Sequence, residues 1–211
     1  MFHVPRSCSR CLTKPRTRTW NLEPGTRNVT VLMSIDPRFF RQTVGQFVTG
    51  VTVIAMEVEG SIRALTANSF TSLSLNPPLV LFCLGKGTKA GQLIHQVVEF
   101  SVSILSQEQQ PLSSYFAGAW KEETPPPFSF TRSEGGPRLD GSVAALGCLV
   151  NAVHEGGDHW IVVGQVVSIH RSELPREPLV FFGGRYSALA NDEQSSWEEA
   201  GLLISWTEPG K

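Results

Sequence analysis

Residues 143–154 and 159–170 are two long, largely apolar strand-like segments, and the four residues Glu155-Gly156-Gly157-Asp158 join them. This pairing limits the fold more than any other feature of the chain. Glycines in so short a connection supply the left-handed backbone conformations that a hairpin turn requires. Further strand-length runs are expected at 51–56, 62–66, 79–84, 100–105 and 179–182, with Glu59-Gly60 as the turn between the first two. Helices are expected from Pro37, capped by Asp36 and stopped by Gly50, and at 90–96 and 107–116. In the first of these, Phe40, Val44 and Val48 fall on one stripe with Phe39 and Phe47 beside it. Strands outnumber helices and are joined by turns, which disfavours a doubly wound nucleotide-binding sheet and favours a barrel.

The 211 residues suffice for one domain with a sizeable core, and 41% hydrophobic with 18% charged residues is ordinary for a globular protein. A net charge of -1 gives no footprint for nucleic acid or for an anionic membrane surface. No apolar run approaches the roughly 18 residues of a membrane span, and no secretory core follows Met1, so a cytoplasmic protein is expected. Cys83 and Cys148 sit inside apolar runs and read as small buried hydrophobes. Cys8 and Cys11 form a single C-x-x-C with no second pair, which is weak support for a zinc or redox site.

Residues 1–33 are set apart by Arg6, Arg10, Lys14, Arg16, Arg18 and Arg27 against one acid, Glu23. They read as a disordered leader or an over-extended start ahead of Met33, with an organelle transit peptide as the other option. The folded domain is expected over 34–189. Residues 190–211 form an acidic extension with a candidate strand at 202–206.

Four segments could carry chemistry. Thr66-Ala67-Asn68-Ser69-Phe70-Thr71-Ser72 places small hydroxyl and amide side chains directly before the proline-led strand that starts at Asn76-Pro77-Pro78-Leu79. Such side chains let a flat heteroaromatic ring approach the backbone and offer it many hydrogen bonds. The run reads as readily as an edge strand and a polar loop. Gly85-Lys86-Gly87-Thr88-Lys89 has the wrong spacing for a Walker loop but suits a single phosphate, or is a solvated turn. Gly157-Asp158-His159 is a hairpin turn with an imidazole, and Arg185-Tyr186 follows the last strand; either could be surface. No G-x-G-x-x-G opens a helix, no catalytic triad order is present, and no metal-ligand spacing is seen.

Taken in order, these segments resemble the short-chain NAD(P)H:flavin oxidoreductases, the reductase components of two-component flavin-dependent monooxygenases. Gly50-Val51-Thr52-Val53 is similar to that family's first barrel strand, and the Thr66–Leu79 stretch to its flavin-binding segment. Gly157-Asp158-His159 with Val163-Gly164-Gln165-Val166 is similar to its nicotinamide-side hairpin, and Pro178–Tyr186 to its closing strand. The Lys86–Lys89 loop departs from the Arg/Ser/Ser pattern common there, which leaves FMN against FAD open.

The resemblance implies a mainly β fold with flanking helices, the FMN-binding split β-barrel, assembled as a homodimer. It implies hydride transfer from NADH or NADPH to FMN or FAD, with reduced flavin supplied to a partner monooxygenase by diffusion. Under it, Thr66, Ala67, Asn68, Ser69, Phe70 and Ser72 line the flavin ring, and Lys86, Thr88 and Lys89 hold its phosphate. His159 is the catalytic-side residue over the nicotinamide, Arg185 and Tyr186 close the pocket, and no metal is required. The alternatives are a barrel with tightly held FMN acting as an oxidase or electron carrier, a non-catalytic flavin- or haem-binding module, and a dimeric partner-binding barrel.

Overall fold

The computed structural model describes residues 35–189. The chain divides into two units, Met1–Asp36 and Pro37–Lys211, and of the first only Ile35 and Asp36 are described. The leader, its C-x-x-C, and the extension with its candidate strand at 202–206 therefore lie outside the described residues.

The second unit opens with helix α1, Pro37–Val44, and a two-residue strand β1, Thr49–Gly50. Seven longer strands then build one antiparallel sheet: β2 Thr52–Val58, β3 Ser61–Ala67, β4 Thr71–Leu75, β5 Pro78–Gly85, β6 Glu99–Ile104, and, further on, β9 Ala144–Gly156 and β10 His159–Arg171. Between them come the short helix α2, Lys89–Leu93, the helix α3, Gln110–Phe116, and a two-stranded hairpin, β7 Phe130–Ser133 with β8 Gly136–Leu139. The last strands, β11 Val180–Phe182 and β12 Arg185–Ser187, join β1 in a separate three-stranded sheet.

The large sheet runs β3-β2-β6-β9-β10-β5-β4. Its two edge strands, β3 and β4, are separated in sequence by Asn68, Ser69 and Phe70 alone. Four virtual bonds of about 3.8 Å cannot bridge more than about 15 Å. The sheet must therefore curl until its edges nearly meet, which makes a barrel split at this three-residue junction.

Two apolar clusters follow from the alternation of side chains along β2. Ile54 and Met56 point inward with Phe82, Leu84, Phe100, Val102, Cys148 and Val162. Phe82 and Phe100 meet edge to face with centroids 5.1 Å apart, worth about 0.5–1.5 kcal/mol beyond the area they bury. Val51 and Val53 point the other way, onto Leu105, Leu112, Leu139 and Leu179 beneath α3 and the β7–β8 hairpin. Cys148 is wholly buried, and burial pushes its thiol up to about 12, as befits an inert core side chain. Cys83 is only half-buried, less than its apolar run suggests.

The β9–β10 hairpin confirms the pairing read from sequence, with Gly157 at φ 71° in its turn. The expected end of the first helix is corrected. The helix closes at Gly45, whose N–H donates to the Arg41 carbonyl at 2.9 Å, and Gly50 belongs to a strand. Val48 thus leaves the helix. The apolar stripe is also not core: Phe40, Val44 and Phe47 are 55%, 54% and 76% exposed.

Candidate functional site

That stripe forms one wall of a cleft of about 970 Å³. Phe40, Val44, Phe47 and Val48 face it from α1 and the loop behind it, Thr49, Gly50 and Thr52 from the next segment, and Phe181 and Gly184 from the closing sheet. Asn68, Ser69, Phe70 and Thr71, the junction where the barrel is split, line it as well. Apolar walls with a few convergent polar groups are what a small-molecule site requires, and such sites hold about 300–1,000 Å³.

The polar run is placed by two hydroxyl bridges. Thr52 donates to the Ala67 carbonyl at 2.7 Å and pins the end of β3. Ser69 Oγ accepts from Cys83 N at 3.0 Å and donates to Cys83 O at 3.2 Å, which pins the junction to β5. Asn68 is exposed on the cleft wall. Ala67 is buried with its carbonyl already used, and Ser72 lies exposed on the edge strand opposite Val80, outside the cleft wall.

Thr66 faces a second, smaller cavity of about 170 Å³ that shares Asn68 and Phe181 with the cleft. Tyr186 lines the same cavity, its hydroxyl 2.9 Å from Ser113 Oγ. Arg185 is exposed on β12.

The remaining candidates gather where the β5–α2 loop meets the β9–β10 turn. Lys86 N donates to the Asp158 carbonyl at 3.0 Å, and its ammonium lies 3.6 Å from Glu155 and 4.5 Å from the centre of the Trp160 ring. Trp160 Nε1 donates to Gly91 O at 3.0 Å, and His95 meets the indole edge to face. Gly91 is needed here, because a Cβ would run into the Gly85 carbonyl. Thr88 caps α2: its hydroxyl accepts from Gly91 N at 3.0 Å and donates to Gly85 O at 2.8 Å. Its proton is thereby committed, so the side chain shapes the loop and has no donor left for an anion. Lys89 is exposed.

His159 pairs with Gly85 across the sheet, and its Nδ1 is 2.7 Å from Asp158 Oδ1. The hydrogen bond and charge of His159 hold the Asp158 carboxyl below its usual range. With Nδ1 turned to the carboxylate, Nε2 is the atom free for another partner. Cys83, which carries Ser69, is two residues from Gly85 along β5, about 7 Å. The polar junction and His159 thus share one end of the barrel.

The structure brings Asn68, Ser69 and Phe70 to the cleft and Thr66 and Tyr186 to the cavity that adjoins it, while Lys86, Thr88, Lys89 and His159 gather at the β5–α2 loop and the β9–β10 turn and do not line the cleft. Sequence reading missed the α1 wall and Phe181. The stripe at 40, 44 and 48 was the available signal, but periodicity alone cannot tell a core-facing stripe from a ligand-facing one.

A mainly β barrel, split at a polar junction and lined there by small side chains, fits the fold that the sequence resemblance implies. Residues 44–190 match the family model described as "Flavin reductase like domain", and the chain belongs to that family. It is 40% identical over 162 residues to the reductase subunit HsaB of a flavin-dependent monooxygenase from Rhodococcus jostii, covering 76% of this chain and 82% of that one. Among solved structures, flavin reductase PheA2 in its native state superposes with a TM-score of 0.69 at 41% identity, over 74% of this chain and 99% of the other. The NADH:FAD oxidoreductase SgcE6 of Streptomyces globisporus, in complex with NAD and FAD fragments, gives 0.67 at 35% identity, over 77% and 100%.

Proposed function

We propose that this protein is a flavin reductase that transfers hydride from NADH or NADPH to FMN or FAD and releases the reduced flavin to a separate monooxygenase. The observation that carries the reading is the cleft itself. Its residues fit a flavin: an apolar wall at Phe40, Val44 and Phe47 for a flat ring, and, lining the same cleft, the exposed Asn68 amide and the backbone of Ser69 and Phe70 for the ring's polar edge. A bound flavin supplies the hydride-accepting ring, and the protein supplies orientation and exclusion of water.

Asn68 would donate and accept at the ring edge, while the Ser69 bridge holds the junction still. Lys86, kept in place by Glu155 and Trp160, would give a point charge for a phosphate, with Lys89 next to it. His159 would present Nε2 to the nicotinamide with Asp158 fixing its ring, and Arg185 would close the rim beside Gly184.

Among the described residues no helix is long and apolar enough to cross a membrane. A cytoplasmic location belongs to the same proposal. The exposed Leu73 and Leu75 on the edge strand β4 support a homodimer in which a second copy covers that edge, which light scattering would read as twice the chain mass.

The test is steady-state oxidation of NADH and NADPH by the full chain with added FMN or FAD. Saturable turnover that requires added flavin is expected, and the best pair names both cofactors. Folded protein inert with every pair would refute the reading.

A further inference from the structure

Ser113 is fully buried on α3, yet it holds two of the residues around the small cavity. Its Oγ is 2.9 Å from the Tyr186 hydroxyl. Its carbonyl accepts the Thr66 hydroxyl at 2.7 Å in addition to the Ala117 N–H at 3.0 Å. Each arm ends at the cleft. Thr66 is two residues from Asn68, which stands in both cavities. Tyr186 meets Phe181 edge to face with centroids 5.5 Å apart, and Phe181 also stands in both. One buried hydroxyl and one carbonyl therefore fix the two groups that separate the cleft from the space behind it.

We propose that Ser113 is a positioning residue for the flavin ring. Through Tyr186 it sets Phe181, and through Thr66 it sets Asn68, so that the back of the cleft is rigid where the ring edge comes to rest. Packing alone does not call for a hydroxyl here, since alanine would fill nearly the same volume. A buried hydroxyl is retained where its hydrogen bond matters. The inference rests on the flavin reductase reading and deepens it.

The test compares S113A, Y186F and the double variant in the full chain, with flavin affinity read from quenching of FMN and FAD fluorescence alongside kinetics. Y186F removes only the hydroxyl of a side chain that is not fully buried, so it keeps the test informative if S113A folds poorly. Each single variant is expected to weaken flavin binding and raise the flavin KM about five- to tenfold, with the KM for reduced nicotinamide unchanged. The double variant should lose no more than either single one, because both remove the same bond. Unchanged flavin affinity in Y186F, or losses that multiply in the double variant, would overturn the inference. Wild-type protein that binds flavin without turnover would instead overturn the reductase reading, and the affinity arm would still decide the role of Ser113.

Discussion

The side chain of Ser69 stands in for a strand: its hydroxyl accepts from the Cys83 N–H and donates to the Cys83 carbonyl, completing the ladder of β5 where β4 no longer reaches. The last paired residue of β4 is Thr71, opposite Leu81, so without Ser69 the edge of the barrel would end two residues early. S69A should lower stability by about 1–2 kcal/mol by leaving both backbone groups to solvent. Flavin affinity should fall with it. Urea unfolding and flavin fluorescence titration check the two effects, and S69T, which keeps the hydroxyl, should recover most of the affinity.

Phe47 tests whether the apolar stripe serves the cleft or the fold. It is 76% exposed, so F47A should move the unfolding midpoint little. Loss of apolar contact with a bound ring should weaken flavin affinity about three- to tenfold. A large drop in stability with unchanged affinity would assign the stripe to packing.

The Asp158–His159 pair gives a signed pH dependence. The carboxyl is held below its ordinary value of about 3.9 by His159. Its contribution to stability is therefore present above that value and is lost as pH falls through the lowered folded value. Asp158 is fully exposed, so the effect should be small. The stability difference between wild type and D158N should disappear in acid, as pH falls through the lowered folded value. In H159A the carboxyl should rise toward its ordinary range in an NMR titration, and the KM for reduced nicotinamide should rise more than the flavin KM.

Gly91 separates loop position from loop charge. A Cβ there meets the Gly85 carbonyl, whereas at Gly87 it meets nothing within 4 Å. G91A should cost about 1–3 kcal/mol and shift the Trp160 fluorescence, because α2 must move off the indole N–H. G87A should do neither.

Much of the fold was legible because its strands alternate and its turns carry glycine. The β9–β10 hairpin was read to within a residue or two, since an apolar run broken by Gly156-Gly157-Asp158 has few other ways to fold. Other elements were harder. β4 is made of Thr, Ser and Leu with a bulge between Ser72 and Ser74, so its polar residues look like a loop. The β7–β8 hairpin is short and contains Pro137, which weakens any strand signal. Of the site, Asn68, Ser69 and Phe70 were legible as a cluster of small polar residues. The α1 wall was not, because an exposed apolar stripe and a buried one have the same period. Ser113 was invisible, because a lone serine in a helix carries no pattern until Thr66 and Tyr186 are placed around it.

The most direct test of hydride transfer to a diffusible flavin is anaerobic bleaching of FMN or FAD by reduced nicotinamide with catalytic amounts of the protein. Bleaching of flavin in large excess over protein is expected, with one equivalent of nicotinamide oxidised per flavin, at a rate proportional to protein concentration. Bleaching that stops at one flavin per chain, or none at all, would contradict such transfer.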